Sequence, residues 1–189
     1  MKQENRKFEI IQTATRLFKK KGYSAVTMRD IAKSMGIKAA SLYNHINSKQ
    51  DILTAIIISL AEEFTTEMNF ILNSELNSIE KLNKIITLHV QITTKNTNGM
   101  ASLNNDWMHL EEKLDYYLSL RSKYEDDFRA IIKTGIANNE ISNSNPEIML
   151  FSILSTLRSL YQWIPKKEDV NPEELAINLG IILINGIKK

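Results

Sequence analysis

The sequence predicts an all-α fold. A small three-helix N-terminal region holds a helix-turn-helix (residues 1–47), and a larger helical region follows (48–189), with about nine helices in total. Three observations carry that reading. Apolar residues recur every three or four positions in almost every segment, the spacing of one helix face. The strict alternation of a half-buried strand is found nowhere. The interruptions are those that start and stop helices, with Gly behind basic last turns and Pro, Ser, Thr or Asn ahead of apolar runs.

Taken in order, residues 6–21 form an amphipathic helix with Phe8, Ile11, Ala14, Leu17 and Phe18 on one stripe. Lys19, Lys20 and Lys21 suit the negative end of that helix, and Gly22 stops it. Tyr23 and Val26 are placed to close a small core. Thr27 and Asp30, three residues apart, make a capping box for a second helix whose apolar face is Ile31, Ala32 and Met35. Gly36 takes the bend, Ile37 packs inward, and residues 38–46 form a third helix with Leu42 and Ile46 on its buried side. Helix, Gly-containing turn and helix is the geometry that lays one helix across a phosphate backbone and the next in a major groove. The other reading of the pattern is an ordinary helical hairpin.

Ser48 and Asp51 repeat the capping pattern and open an uninterrupted helix over residues 48–72, ~36 Å long at 1.5 Å per residue. Free of Gly and Pro, it is a stiff lever. Asn77 with Glu80 starts a helix that runs to Lys95, and residues 95–99 are a break. Residues 100–110 read as a short helix or bent segment, 111–138 as a long helix and 138–145 as a polar turn. Pro146 and Pro172 open the last two helices, 146–163 and 172–187. Both are apolar on more than one side, which calls for burial on two faces. A second copy of the chain supplies the second face as a homodimer; a central core helix is the alternative.

Charge is uneven. Residues 1–49 carry eleven Lys and Arg against three acids, a net of +8, and the remainder of the chain is −6. A basic end on an acidic remainder suits a polyanion-binding region joined to a regulatory one. The chain has no Cys, which excludes disulfides and thiolate metal sites. The N-terminus lacks the apolar core of a signal peptide, and no apolar run approaches the ~20 residues of a membrane span. A cytoplasmic protein with no membrane partner is expected. No cofactor or metal is implied, because His45 has no partner at ligand spacing. No HExxH, G-x-S-x-G or phosphate-cradling Gly-rich loop supports an enzyme, and the carboxylates Glu62, Glu63 and Glu67 read as solvated charge. A helical scaffold, or an enzyme without a recognisable motif, is the different-class alternative.

Over residues 7–55 the chain carries A-x-x-L-F-x-x-x-G-Y, then T-x-R-D-I-A-x-x-x-G, then L-Y-x-H-x-x-x-K. In that order and spacing these runs resemble the DNA-binding domain of the TetR family of bacterial transcriptional repressors. Ile46 stands where the family most often has Phe, and Lys38 where Ser or Thr often caps the recognition helix. The resemblance implies backbone contacts to DNA from Thr27, Tyr43, His45 and Lys49. It implies base-facing positions at Arg29, Lys38, Ala39, Ala40, Ser41 and Asn44. Their chemistry agrees. Arg29 and Lys38 can donate to guanine, Asn44 can pair with adenine, and the Ala methyls can touch thymine. The implied partner is an inverted-repeat operator in double-stranded DNA, addressed by a homodimer formed through 146–163 and 172–187.

The family pattern also implies an effector pocket among the middle helices. Candidate lining residues are Phe64, Met68, His89, Ile92, Met100 and Leu103, together with Trp107, Leu110, Tyr117, Leu120 and Tyr124. Met, Trp and aliphatic side chains suit a small hydrophobic effector. The segment R-S-K-Y-E-x-x-F-R-x-I-I-x-x-G and the W-x-P loop at 163–165 resemble repressors of fatty-acid or steroid catabolism that answer to acyl-CoA thioesters. On that likeness Arg121, Lys123, Arg129 or Lys133 meets the CoA phosphates. A multidrug-type sensor that represses an efflux gene is the rival expectation.

Overall fold

The computed structural model describes residues 2–188. Among them are nine α-helices: α1 Lys2–Lys21, α2 Met28–Ser34, α3 Ala39–Leu42, α4 Lys49–Leu72, α5 Ser78–Lys95, α6 Thr97–Asn105, α7 Leu114–Ala137, α8 Pro146–Trp163 and α9 Pro172–Asn185. No strand occurs among the described residues; one isolated bridge pairs Ile141 with Lys188. None of the helices is long and apolar enough to cross a membrane. Contacts divide the chain into two compact units. The first holds residues up to Ala61 together with Asn98–Leu118; the second holds Glu62–Thr97 and the chain from Ser119 onward. Thus α4, α6 and α7 each contribute residues to both.

The expected caps are in place. Thr27 with Asp30 and Asn77 with Glu80 are reciprocal capping boxes, and the Ser48 hydroxyl and the Asp51 backbone and carboxylate bond one another ahead of α4. Asn145 and Asn171 cap α8 and α9, each with Pro in the first turn. Gly22 (φ +83°) and Gly36 (φ +66°) end α1 and turn the hairpin in the left-handed region, where a Cβ is disfavoured.

In the first unit Ile10, Ala14 and Phe18 of α1 pack inward with Tyr23, Val26, Ile31, Leu42 and Ile46. The expected α1 stripe was rotated: Phe8 is exposed, and the unforeseen Ile10 takes the buried place. In the second unit the core holds Phe64 and Met68 of α4, Leu82, Ile85 and Ile86 of α5, Phe128 and Ile132 of α7, and Leu154 and Leu157 of α8.

The first helix starts at Lys2 rather than at residue 6, and four further boundaries differ from expectation. The third helix regularises only over Ala39–Leu42, because Lys38 offers no side-chain cap and so short a helix gains little from propagation. Residues 43–45 continue as a turn, with the Ile46 N–H returning to the Leu42 carbonyl at 3.0 Å. The break after α5 is a single residue, Asn96, and α6 starts at once with the Thr97 hydroxyl on the Thr93 carbonyl. Two 3-10 turns, Trp107–His109 and Glu111–Lys113, separate α6 from α7, with Glu111 at φ +47°. Finally α9 stops at Asn185. Ile187 leaves the helix because its carbonyl accepts the N–H of Ser142 at 2.7 Å, and the polar turn hides a buried Ile141.

Candidate nucleic-acid interface and effector region

The hairpin is built on two anchors. Leu42 and Ile46 are buried beneath it, and α2, whose Ile31 and Ala32 are buried, packs on α3. The residues pointing the other way are exposed or half-buried. Lys38, Ala40, Tyr43 and Asn44 are exposed, as are Thr27 and Arg29 at the start of α2; Ala39, Ser41 and His45 are half-buried. Residues 38–45 thus sit on one continuous segment.

Two of the predicted contacts already have internal partners. The Thr27 hydroxyl donates to Asp30 Oδ2 at 2.5 Å, and the Thr27 N–H donates to the same oxygen at 2.9 Å. These bonds hold the Asp30 carboxyl below its ordinary range. The Lys49 ammonium donates to the Tyr23 carbonyl at 2.9 Å and lies 4.1 Å from the centre of the Tyr23 ring. It is half-buried and ties α4 to the end of α1.

That Tyr23 tie extends further within the first unit. Tyr23 Oη donates to Gln50 Oε1 at 2.7 Å, and Gln50 Nε2 donates to the His109 carbonyl at 2.6 Å. The Tyr23 and His109 rings stack with centroids 5.2 Å apart. Burial raises the Asp106 carboxyl above its usual range, against the opposing pull of His109 and the Tyr23 backbone N–H. Residues 106–109 therefore clasp the end of α1 and the start of α4. Sequence reasoning missed this clasp.

The effector candidates divide between the units. In the first, Met100, Leu110 and Tyr117 are buried, Leu103 and Trp107 are half-buried, and the Trp107 and Tyr117 rings lie 5.9 Å apart. In the second, Phe64, Met68, His89, Ile92 and Tyr124 are buried and Leu120 is half-buried. Three of these meet directly: the Phe64 and His89 ring centroids are 4.6 Å apart, and His89 Nε2 lies 2.9 Å from the Tyr124 hydroxyl. Of the basic residues on α7, Arg121 pairs with Glu125, Lys123 with Asp127, and Arg129 with Asp126 and Glu147; Lys133 is exposed. Among the described residues no group of three or more His, Asp or Glu is placed to hold a metal ion.

The last two helices turn large apolar side chains outward: Ile148, Phe151 and Trp163 on α8, and Ile177, Ile181 and Ile182 on α9. An open groove runs beside them between α5 and α9, lined by Asn83, Thr87, Ala176 and Gly180.

Residues 75–187 match the family model of the tetracyclin repressor-like C-terminal domain, and residues 10–56 match that of the bacterial regulatory proteins of the tetR family. The HTH-type transcriptional repressor KstR2 of Rhodococcus jostii (strain RHA1) is 23% identical over 185 residues, spanning 96% of this chain and 91% of that protein. Among solved structures, the ketosteroid transcriptional regulator KstR2 of Mycobacterium tuberculosis has the same fold. Its TM-score is 0.91 at 19% identity, over 97% of this chain and 95% of that one. AibR, solved in complex with isovaleryl coenzyme A and operator DNA, gives a TM-score of 0.78 at 22% identity, over 95% of this chain and 98% of that one. An exposed basic hairpin on a buried footing, an all-α remainder and a family match across most of the chain lead to one conclusion: this chain belongs to the TetR family and is a DNA-binding transcriptional regulator, in a family of regulators rather than enzymes.

Proposed function

We propose that the protein is a homodimeric repressor that holds an inverted-repeat operator and lets go when a small hydrophobic effector binds. Residues 1–47 read DNA, and residues 48–189 take the effector and the second copy. The observation that carries the reading is the hairpin, which presents Lys38, Ala40, Tyr43 and Asn44 outward over buried Leu42 and Ile46. Arg29, Lys38, Ala39, Ala40, Ser41 and Asn44 face base edges, and Thr27, Tyr43 and His45 hold phosphates. Lys49 supports the site from behind, since its ammonium is already bound to Tyr23.

The dimer forms through the outward faces of α8 and α9. Apolar side chains of that size, more than half exposed at Ile148, Phe151, Ile177 and Ile182, are what an isologous four-helix contact buries. Two hairpins held by that contact address half-sites about one DNA turn, ~34–36 Å, apart. Because α4 supplies residues to both units, an effector that prefers one tilt of α4 shifts the spacing of the recognition segments. Moving the population from 1:99 to 99:1 takes ~5.5 kcal/mol of differential affinity.

The effector is an acyl-CoA thioester. AibR supports this, being a protein of the same fold solved with isovaleryl coenzyme A. One observation favours the second reading, a multidrug-type sensor of a wholly apolar effector: Arg121, Lys123 and Arg129 are already ion-paired and not waiting for phosphates. Selection of bound fragments from genomic DNA, followed by gel-shift titration with acyl-CoAs of graded chain length, tests the proposal. The expected result is an inverted repeat, steep loss of binding with salt, and release by one range of chain lengths. Failure to retain any fragment at low salt overturns the DNA reading; retention without release by any acyl-CoA overturns the effector.

A further inference from the structure

Among the described residues of the second unit, two buried polar side-chain atoms have no hydrogen-bonding partner: Nδ1 of His89 and Oγ1 of Thr93. The residues are 4% and 0% exposed. They lie four apart on α5, so both project from the same face of the helix. Such groups are desolvated without return, and buried polar atoms in folded proteins are seldom left in that state.

The protonation state of the pair follows from its surroundings. Burial, helped by the charge of Arg158, pushes the His89 imidazole down to about 3, so it is neutral at physiological pH. Burial likewise raises the Tyr124 phenol, which keeps its proton. A neutral imidazole carries one N–H. Since the phenol is the better donor, Tyr124 donates to Nε2 across the 2.9 Å contact and the imidazole proton sits on Nδ1. The Thr93 hydroxyl adds a second donor. Phe64 lies against the imidazole with ring centroids 4.6 Å apart, and it and Ile92, next to Thr93 in the chain, are hydrocarbon and buried.

We infer that His89 Nδ1 and Thr93 Oγ1 are the polar anchor of the effector site, two donors for a single neutral carbonyl oxygen carried on a hydrocarbon body. The inference rests on the effector reading proposed above and narrows its chemistry. A wholly apolar ligand leaves both donors unmatched. A carboxylate fits poorly, because the cation whose charge reaches His89 and Tyr124, Arg158, is already bridged to Glu125 at 2.6 Å and a second buried anion gains no counter-ion. A thioester or ketone carbonyl satisfies both donors without charge.

Calorimetric titration of the full-length protein with matched probes tests the anchor. Octanoyl-CoA is compared with S-octyl-CoA, a thioether that lacks the oxygen, and 2-octanone with octane. The expected result is a Kd about five- to a hundredfold tighter for the carbonyl member of one pair, the scale of two neutral hydrogen bonds. The pair that discriminates identifies the source as thioester or ketone. Thr93→Val keeps the shape and removes the hydroxyl, so it should bring that ratio towards one with an unchanged or higher Tm. Equal binding within each pair, or discrimination as large in Thr93→Val as in the parent protein, overturns the anchor and leaves a hydrophobic effector standing. Where octanoyl-CoA does not bind, the pair is repeated at each acyl length; no binding of any acyl-CoA or of 2-octanone by a protein that still binds its operator overturns the effector reading and the anchor together.

Discussion

Gln50 lies one residue beyond the last predicted DNA contact, yet it joins three parts of the chain. Its side chain accepts from Tyr23, 27 residues earlier, and donates to the His109 carbonyl, 59 residues later. Gln50→Ala removes both bonds. At about 0.5–1.5 kcal/mol net for each, a loss of roughly 1–3 kcal/mol is expected in urea denaturation. Gly36→Ala tests the hairpin turn. A Cβ there meets nothing within 4 Å, so the cost is that of the φ +66° backbone alone, about 1–2 kcal/mol, read in the same way. Local pairs such as Thr27 with Asp30 and Asn77 with Glu80 were legible in the sequence because both partners sit within one helical turn. The Tyr23–Gln50–His109 clasp was not, because hydrogen bonds across tens of residues leave no periodic trace. The unpartnered nitrogen of His89 was equally invisible: a His at an inward position reads as satisfied until its neighbours are known.

Among the elements, the long helices were legible and the short ones only in part. The α4 helix runs over Lys49–Leu72 as its unbroken apolar spacing required, whereas α3 keeps one regular turn of the nine residues expected. Periodicity is a weak guide over so few residues, and Lys38 supplies no cap. The outward turn of Phe8 has a related cause, since a stripe of five residues fits neighbouring faces of α1 almost equally well. Helices α7 and α8 are tied by Arg158, which donates to Glu125 at 2.6 Å. Burial raises the Glu125 carboxyl, but the bonds and charges of Arg158 and Arg121 outweigh it and hold the group below its ordinary 4.5. A carboxyl that is harder to protonate folded than unfolded stabilises the fold above the unfolded value. That contribution is lost as pH falls through the lower, folded value. Thermal melts from pH 6 to pH 3 should show an acid-side fall in Tm that is shallower in Glu125→Gln.

For the molecule as a whole, fold class, family and the double-sided apolarity of the last two helices were all readable, because each is written in composition and spacing over many residues. The exposed positions on α8 and α9 give that pattern a sharper test. Phe151→Glu with Ile182→Glu places charge where each residue is 70% exposed, so the fold should keep its helical circular dichroism. Analytical ultracentrifugation should then report a monomer, and affinity for the inverted repeat should fall at least about a hundredfold, since one hairpin alone lacks the gain from linked half-sites. A dimer that persists in the double variant would place the interface elsewhere.

The chain enters the first unit twice, once up to Ala61 and again over Asn98–Leu118, where His109 covers Tyr23. Grafting experiments must respect that path. A chimera that exchanges only the N-terminal segment with a relative would pair a foreign Tyr23 pocket with a native 98–118 insert, and both halves of the seam must travel together for altered operator specificity to arrive without loss of solubility or response.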